Sequence, residues 1–221
     1  MSLLHRFGLA RRARVSVREG YAKWAPVYPA RPHNGLMQAE AETVALLLRE
    51  IVSTRALDIG TGTGRNLPLL RATGARCVVG LDLSADMLVQ MPGAACRVRA
   101  DAVQLPIRTG RIDLVTSSLM AGDLEDLAPW CAEVARVLAS GGHFVFSDFH
   151  PSWRRHGWRR TFRGSDSREY ELPYFDHPVE RTVATLEASG FEVRVVREPR
   201  AGKADPVLTV MHAVRRAEAR D

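Results

Sequence analysis

The 221-residue sequence predicts an α/β fold, a doubly wound and mostly parallel sheet with helices on both faces. Three observations lead there. Five short apolar runs, at 56–59, 77–81, 96–99, 112–116 and 143–147, are separated by stretches able to form helices. Strands buried on both faces read as continuous apolar runs, as these do. Two later segments, "FEVRVV" at 191–196 and "PVLTVMHAV" at 206–214, alternate in polarity, which suits an antiparallel pair at a sheet edge. A hydrophobic share of 46% supplies core enough for one medium-sized domain with a small appendage.

The elements follow in order. The first 18 residues, "MSLLHRFGLARRARVSVR", contain no acid and have the composition of a transit peptide; we read them instead as a basic N-terminus that folds back. With the aromatic "YAKWAPVYP" at 21–29 they form an expected cap over 1–35, ahead of a single domain over 36–221. Met37, Ala41, Val44, Leu48 and Ile51 recur in steps of four and three, the stripe of an amphipathic helix. Ser84 is placed to N-cap a helix running to Met91, which Pro92-Gly93 stops. Residues 124–138 read as a helix closed by "ASGG" at 139–142. The pattern then breaks: 149–177 is aromatic, Arg-rich and without period, and is expected to be a lid or substrate insertion. Pro178 suits the first turn of a helix ending near Gly190.

Composition narrows the function. Cys77, Cys96 and Cys131 have neither metal nor redox spacing and read as reduced core thiols of a cytosolic protein, with no metal site. No apolar run approaches the roughly 20 residues that cross a bilayer. The net charge of +6 raises nucleic acid as a partner, yet only Lys23 and Lys203 are lysines among 31 basic residues. Such an arginine bias is equally the mark of a GC-rich bacterial genome.

Gly60, Gly62 and Gly64 follow the first strand and precede a helix beginning near Asn66. Lacking Cβ, they let a ligand approach the backbone, and a helix N-terminus offers free N–H groups. A tight turn would use the same residues. Three acids decide between the two. Asp82 ends the second strand, where a carboxylate accepts from ribose hydroxyls, and Asp101-Ala102 follows the third. Asp58 stands two residues before the first glycine, where it would repel a pyrophosphate but suit a cationic amino-acid group.

"LDIGTGTGRN", "VVGLDLSADML", "RADAVQLPI", "IDLVTSSLM" and "ASGGHFVFSDFHP" together resemble the class I S-adenosylmethionine-dependent methyltransferases, over about residues 55–150. The resemblance implies a seven-stranded sheet of order 3-2-1-4-5-7-6 and S-adenosylmethionine as cofactor. It assigns the methionine part to Asp58, Thr61 and the Gly60–Gly64 loop, and the ribose to Asp82. Leu83 and Met87 then pack near the adenine, Asp101 accepts from its amino group, Ala102 adds a backbone contact, and Ser118 and Leu119 line the methionine side. Met87 and Leu83 are equally readable as core, and Asp101 as a helix cap.

The acceptor must be read from outside the sheet. After the fourth strand stands "SSLMAG", where methyltransferases of base amines carry Asn/Asp-Pro-Pro-aromatic, and no Pro-Cys supplies a cytosine nucleophile; both disfavour nucleic acid. "YAKWAPVYP" resembles the N-terminal pattern of small-molecule members related to quinone and malonyl-carrier methylating enzymes, and "GWRRTF" and "YFDHP" a pattern of bacterial natural-product members. Tyr21, Trp24 and Tyr28 are candidates to wall the site, with His33, Trp153 and Arg154 as further substrate contacts. His150, at the C-terminal end of the fifth strand, is the candidate general base, and His177 the second. Each histidine is also readable as a loop or helix-entry hydrogen bonder. Arg154, Arg155, Arg159, Arg160 and Arg163 form either a solvated face or a site for a carboxylate or an acidic carrier protein.

The expected function is methyl transfer to a small molecule, aromatic or carboxylate-bearing, in the cytoplasm. A carboxyl methyltransferase acting on a carrier-bound acyl group comes second, an RNA methyltransferase third, and a non-catalytic cofactor-binding regulator fourth. Oligomeric state is left open.

Overall fold

The computed structural model describes residues 12–29, 31–93 and 96–217; the basic stretch over 1–11 lies outside them. Short β1 (Ala13–Arg14) leads into α1 (Val17–Trp24), whose N-terminus is capped by Ser16 accepting from the Glu19 N–H at 3.2 Å. After α2 (Gly35–Leu48), capped by Asn34, the alternation begins with β2 (Arg55–Ile59), α3 (Leu67–Ala72), β3 (Cys77–Asp82), α4 (Ala85–Val89) and β4 (Cys96–Arg99). Then come β5 (Ile112–Ser118), α5 (Ala128–Val137) and β6 (Leu138–Phe149). The segment that follows carries α6 (Ser152–Arg155), β7 (Thr161–Arg163) and β8 (Glu169–Glu171), before α7 (Val179–Ala188), β9 (Phe191–Arg197) and β10 (Leu208–Arg215) close the chain.

Seven strands form one sheet in the order β4-β3-β2-β5-β6-β10-β9. The first five pair in parallel, and β10 runs antiparallel to both neighbours. Strand alternation divides the core. Ala56, Leu114, Val145 and Val210 pack against Val44 and Leu48 of α2 and Leu67 and Leu70 of α3. Leu57, Val115, Phe144 and Phe146 point the other way, onto Trp130, Val134 and Val137 of α5 and Leu186 of α7. Trp130 is fully buried, its ring edge-on to Phe144 and Phe146 at 5.2 and 5.4 Å. Full burial of one such side chain stabilises the fold by about 1.5–3 kcal/mol.

Two readings of the sequence change in detail. The stripe's last member, Ile51, lies beyond the end of α2 but is still buried against it. "ASGG" does not cap α5: that helix stops at Val137, and Leu138 turns extended (ψ 141°) into β6. The register with β5 slips there, from Ile112 opposite Leu138 to Leu114 opposite His143, so the two glycines sit in an irregular strand start.

The aperiodic segment is not all loop. β7 and β8 pair antiparallel, and β1 joins β8 in parallel, giving a three-stranded second sheet. Phe162, Tyr170 and Leu172 form its small core, with Val15 and Trp24 packed against it. Ala13 and Tyr170, 157 residues apart in sequence, are thus tied together in one small sheet.

Candidate active site

The C-terminal ends of β2, β3 and β5 open into a cavity of about 460 Å³. The glycine loop forms its floor. Gly60 (φ +65°) and Gly62 (φ +54°) adopt the left-handed region that disfavours side chains. At Gly60 a Cβ would lie 2.6 Å from the Met120 side chain; at Gly62 it would meet nothing within 4 Å. The first glycine is required by packing, and the second keeps open a space above the loop.

Asp82 governs that loop. Its Oδ2 accepts from the Gly62 N–H and its Oδ1 from the Ser84 N–H, both at 2.8 Å. Each oxygen keeps a second lone pair for a ligand hydroxyl. Burial pushes the Asp82 carboxyl up, against these N–H groups, which favour its ionised form. Asp101 accepts from the Val103 N–H at 3.1 Å and lines the cavity beside Ala102, Leu83 and Met87. Met87 is at the same time core, being 1% exposed. Ser118 and Leu119 line the opposite wall, Leu119 at φ +55°, an unfavourable conformation for a side chain that the ending of β5 imposes.

The cap supplies the roof. Tyr21, Trp24, Tyr28 and His33 all face the cavity, and so does Trp153. Trp24 stacks on Phe162 of β7 at 4.7 Å and meets Tyr28 edge-on at 4.8 Å. Tyr21 Oη donates to Asp123 Oδ2 at 3.0 Å and accepts from Arg160, which is itself ion-paired with Asp123. Arg160 and Asp123 expose only 8% and 7% of their side chains. Burial keeps the Tyr21 hydroxyl well above its usual pKa, the Arg160 charge opposing this, so that Tyr21 is a neutral donor.

Other expected site residues are placed elsewhere. Asp58 is buried beneath the loop rather than in the cavity wall, accepting from Thr116 Oγ1 at 2.7 Å; burial pushes its carboxyl up to about 6. Gly64 also lies under the lining, where a Cβ would be 2.5 Å from Met91. Thr61 lines the cavity. His150 is not brought to the cavity. Its Nδ1 accepts from the Ser152 N–H at 3.1 Å and its Nε2 sits 2.8 Å from Glu198 Oε1. Accepting at Nδ1 puts the proton on Nε2, so the ring has no lone pair to offer a substrate. His177 Nε2 is bound at 2.9 Å to the Leu124 carbonyl, on a separate depression lined by Asp176 and Thr182. Arg154 lies 3.4 Å from Asp176 and faces that depression and a second cavity instead.

Reasoning from sequence missed Asp123, Glu40 and Arg65, and named Arg160 only as one of five clustered arginines. Asp123 follows the quoted "SSLMAG" directly, and Arg65 stands inside "LDIGTGTGRN"; their positions were the available signal. Arg160 was indistinguishable within its arginine run.

The residues present fit a nucleoside carrying an amino-acid tail. Gly62 leaves an open cradle, the buried Thr63 hydroxyl has no hydrogen-bond partner among the described residues, and the Asp82 and Asp101 carboxylates line the cavity. A family model described as a methyltransferase domain matches residues 57–146. A malonyl-[acyl-carrier protein] O-methyltransferase of Herminiimonas arsenicoxydans is 33% identical over 72% of this chain and 60% of that protein. A demethylmenaquinone methyltransferase of Thermus thermophilus is 37% identical over 48% of this chain and 51% of its own length. The chain thus spans half to three fifths of these two curated relatives. A crystal structure of an S-adenosylmethionine-dependent methyltransferase from Mesorhizobium loti superposes with a TM-score of 0.66 at 26% identity, covering 80% of this chain and 98% of that one. Residues 57–146 thus carry a methyltransferase domain, on a chain that has the fold of the S-adenosylmethionine-dependent methyltransferases.

Proposed function

We propose that the protein methylates a small organic acceptor. The observation that carries this is the single cavity shared by Asp82, Asp101 and Gly62 on one side and by Tyr21, Trp24, Tyr28 and Phe149 on the other. S-adenosylmethionine supplies a methyl group already activated by its sulfonium, ready for in-line displacement. The chain's task is therefore alignment and exclusion of water. Asp82 takes the ribose hydroxyls and Asp101 the adenine amino group, with Ala102, Leu83 and Met87 around the base. Ser118, Leu119, Thr61 and the loop above Asp58 border the methionine part. The aromatic roof dries the acceptor side, and Tyr21, fixed by Asp123 and Arg160, orients the acceptor's polar atom.

In this reading residues 1–35 and 149–177 together close the acceptor side of a domain spanning 36–221. The cytosol is the setting we assign, since Cys77, Cys96 and Cys131 are free thiols; of the three only Cys131 is in the core, while Cys77 and Cys96, expected there, are exposed. Asp82→Ala is expected to abolish binding of S-adenosylhomocysteine in calorimetry; unchanged affinity would remove the ribose assignment.

One observation favours a second reading, a carboxyl methyltransferase working on a carrier-bound acyl group. A further cavity of about 340 Å³ adjoins the first, sharing Phe149, Trp153, Arg159 and Arg160, and is lined besides by Arg14, Arg154, Trp158 and Tyr174. Arginines around an aromatic entrance suit an anionic acceptor. Docking of an acidic carrier would make turnover fall steeply with salt, since exposed charges are screened. Salt-insensitive turnover points to the free small molecule.

A further inference from the structure

The second cavity, of about 340 Å³, is built unlike the first. Much of its wall is aromatic and held still. The Trp153 ring centre lies 4.4 Å from that of Phe149, and Trp158 meets Trp153 edge-on at 5.1 Å. Tyr174 meets Phe149 edge-on at 5.7 Å. The donors of Trp153 and Tyr174 are already spent: Trp153 Nε1 donates to the Val207 carbonyl and Tyr174 Oη to the Phe149 carbonyl, both at 2.9 Å. These two rings therefore offer a ligand their surface, with no N–H or O–H left for the hydroxyls of a sugar. Trp158 is fixed by His156, stacked on it at 4.8 Å and bound in turn to Asp205 Oδ2 at 2.9 Å. It nonetheless stays 38% exposed. A large ring held open to water among polar neighbours marks a binding surface.

The charges around these rings leave one cation over. Arg160 is matched by Asp123, and Arg154 by Asp176 at 3.4 Å. Arg14 and Arg159 share a single carboxylate, that of Glu171, the one acid among the described residues lining the cavity. Arg159 Nη1 lies 3.0 and 3.1 Å from its two oxygens, and Arg14 Nε 3.6 Å from one of them. The excess is the complement of one anion, and the planar fork of arginine suits a carboxylate. Phe149, Trp153, Arg159 and Arg160 border both cavities, so a molecule lying on these rings extends into the first, toward Tyr21.

We propose that the second cavity holds the body of the methyl acceptor, and that this body is a flat conjugated ring system bearing one carboxylate. The rings take its faces and Arg159 its charge. This rests on the reading of the first cavity as the place of methyl transfer, and adds to it the class of acceptor. Hydroxyl-rich acceptors are disfavoured for want of donors. Flexible acyl chains are disfavoured because they lose more freedom than a rigid ring does on meeting a rigid wall.

The test is calorimetric titration of protein saturated with S-adenosylhomocysteine, using three probes: β-naphthoate, its neutral amide β-naphthamide, and decanoate, a flexible acid of similar size. β-Naphthoate is expected to bind about fivefold more tightly than the amide, the worth of one half-exposed arginine. It is expected to exceed decanoate by about tenfold, through ring contacts. Trp158→Ala, at a partly exposed site, is expected to weaken both naphthyl probes by about tenfold. Arg159→Gln is expected to weaken β-naphthoate alone, bringing acid and amide within about twofold. Thermal melting of both variants checks that they fold. Decanoate binding as tightly as β-naphthoate overturns the proposal, as do unchanged affinities in Trp158→Ala or an undiminished preference for the acid in Arg159→Gln. Displacement of S-adenosylhomocysteine by β-naphthoate puts the probe in the first cavity, which overturns the proposal and leaves the cofactor reading standing. Failure of S-adenosylhomocysteine itself to bind overturns that reading, and is seen before any probe is added.

Discussion

Asp148 is the residue whose chemistry is most out of keeping with its place. It lies near the end of β6, 7% exposed, with Oδ1 buried and unpartnered. Burial pushes its carboxyl up to about 7, with Asp123 adding to the rise and Arg160 and the Phe149 and Gly122 N–H groups opposing it. A carboxyl raised in the folded state gives stability that is complete below the unfolded value near 3.8 and is lost as pH rises through 7. Asp148→Asn is therefore expected to raise the melting temperature more at pH 8 than at pH 5. Equal gains at both would mean that Asp148 is not protonated at the lower pH. The comparison with wild type matters, because His212, lowered to about 4 chiefly by burial, contributes with the opposite sign as pH falls from 6.5. At the same scale, Tyr21→Phe is expected to lower turnover by about ten- to hundredfold, the loss of a single oriented hydrogen bond, while S-adenosylhomocysteine affinity holds. His150→Ala, by contrast, is expected to act on stability through the lost Ser152 and Glu198 bonds, so that activity per folded molecule is kept. The sequence could not separate these residues, since a histidine at a strand end reads alike whether its ring faces a ligand or its own loop. Arg160 shows the same blindness: its burial is set by Tyr21 and Asp123, neither near it in the chain.

Among the elements, legibility followed burial on two faces. β2, β3, β5 and β6 are enclosed by helices on both sides, so each announces itself as an apolar run. The glycine loop was equally plain, because close approach of a ligand restricts residue type at fixed spacing. β7 and β8 were not, being three residues each with a partner, β1, at the far end of the chain. Their stability comes from rings instead. Trp24 joins α1 to that sheet by its stack on Phe162, and its edge contact with Tyr28 ties it to the rest of the cap. Two such contacts contribute about 0.5–1.5 kcal/mol each beyond burial. Trp24→Ala is expected to speed hydrogen exchange at 17–24 and 161–171 while the amides of β2 and β5 keep their protection. Faster exchange throughout would show that cap and sheet open as one unit.

For the molecule as a whole, the proposed function gives the sheet the cofactor side of the site and the cap the acceptor side, and the two differ in how much the sequence discloses. The first reuses loop chemistry that any relative would share. The second depends on pairings between distant segments and on which arginine of a run turns inward, and neither follows from local pattern. The parallel pairing of Ala13 with Tyr170 has a further consequence, in the order of events during synthesis. The first partner leaves the ribosome long before the second exists, so the small sheet cannot form until most of the chain is made. Contacts of such separation also form late in refolding, once the local ones have reduced the cost of closing the loop. A nascent chain ending before β8 would hold the glycine loop without its roof, and would still lack β9 and β10 of the large sheet. In a stopped-flow experiment on a protein keeping only Trp24 of its four tryptophans, its fluorescence change is expected to lag the far-ultraviolet dichroism of the sheet. On this account the roof of the site closes only after its floor has formed.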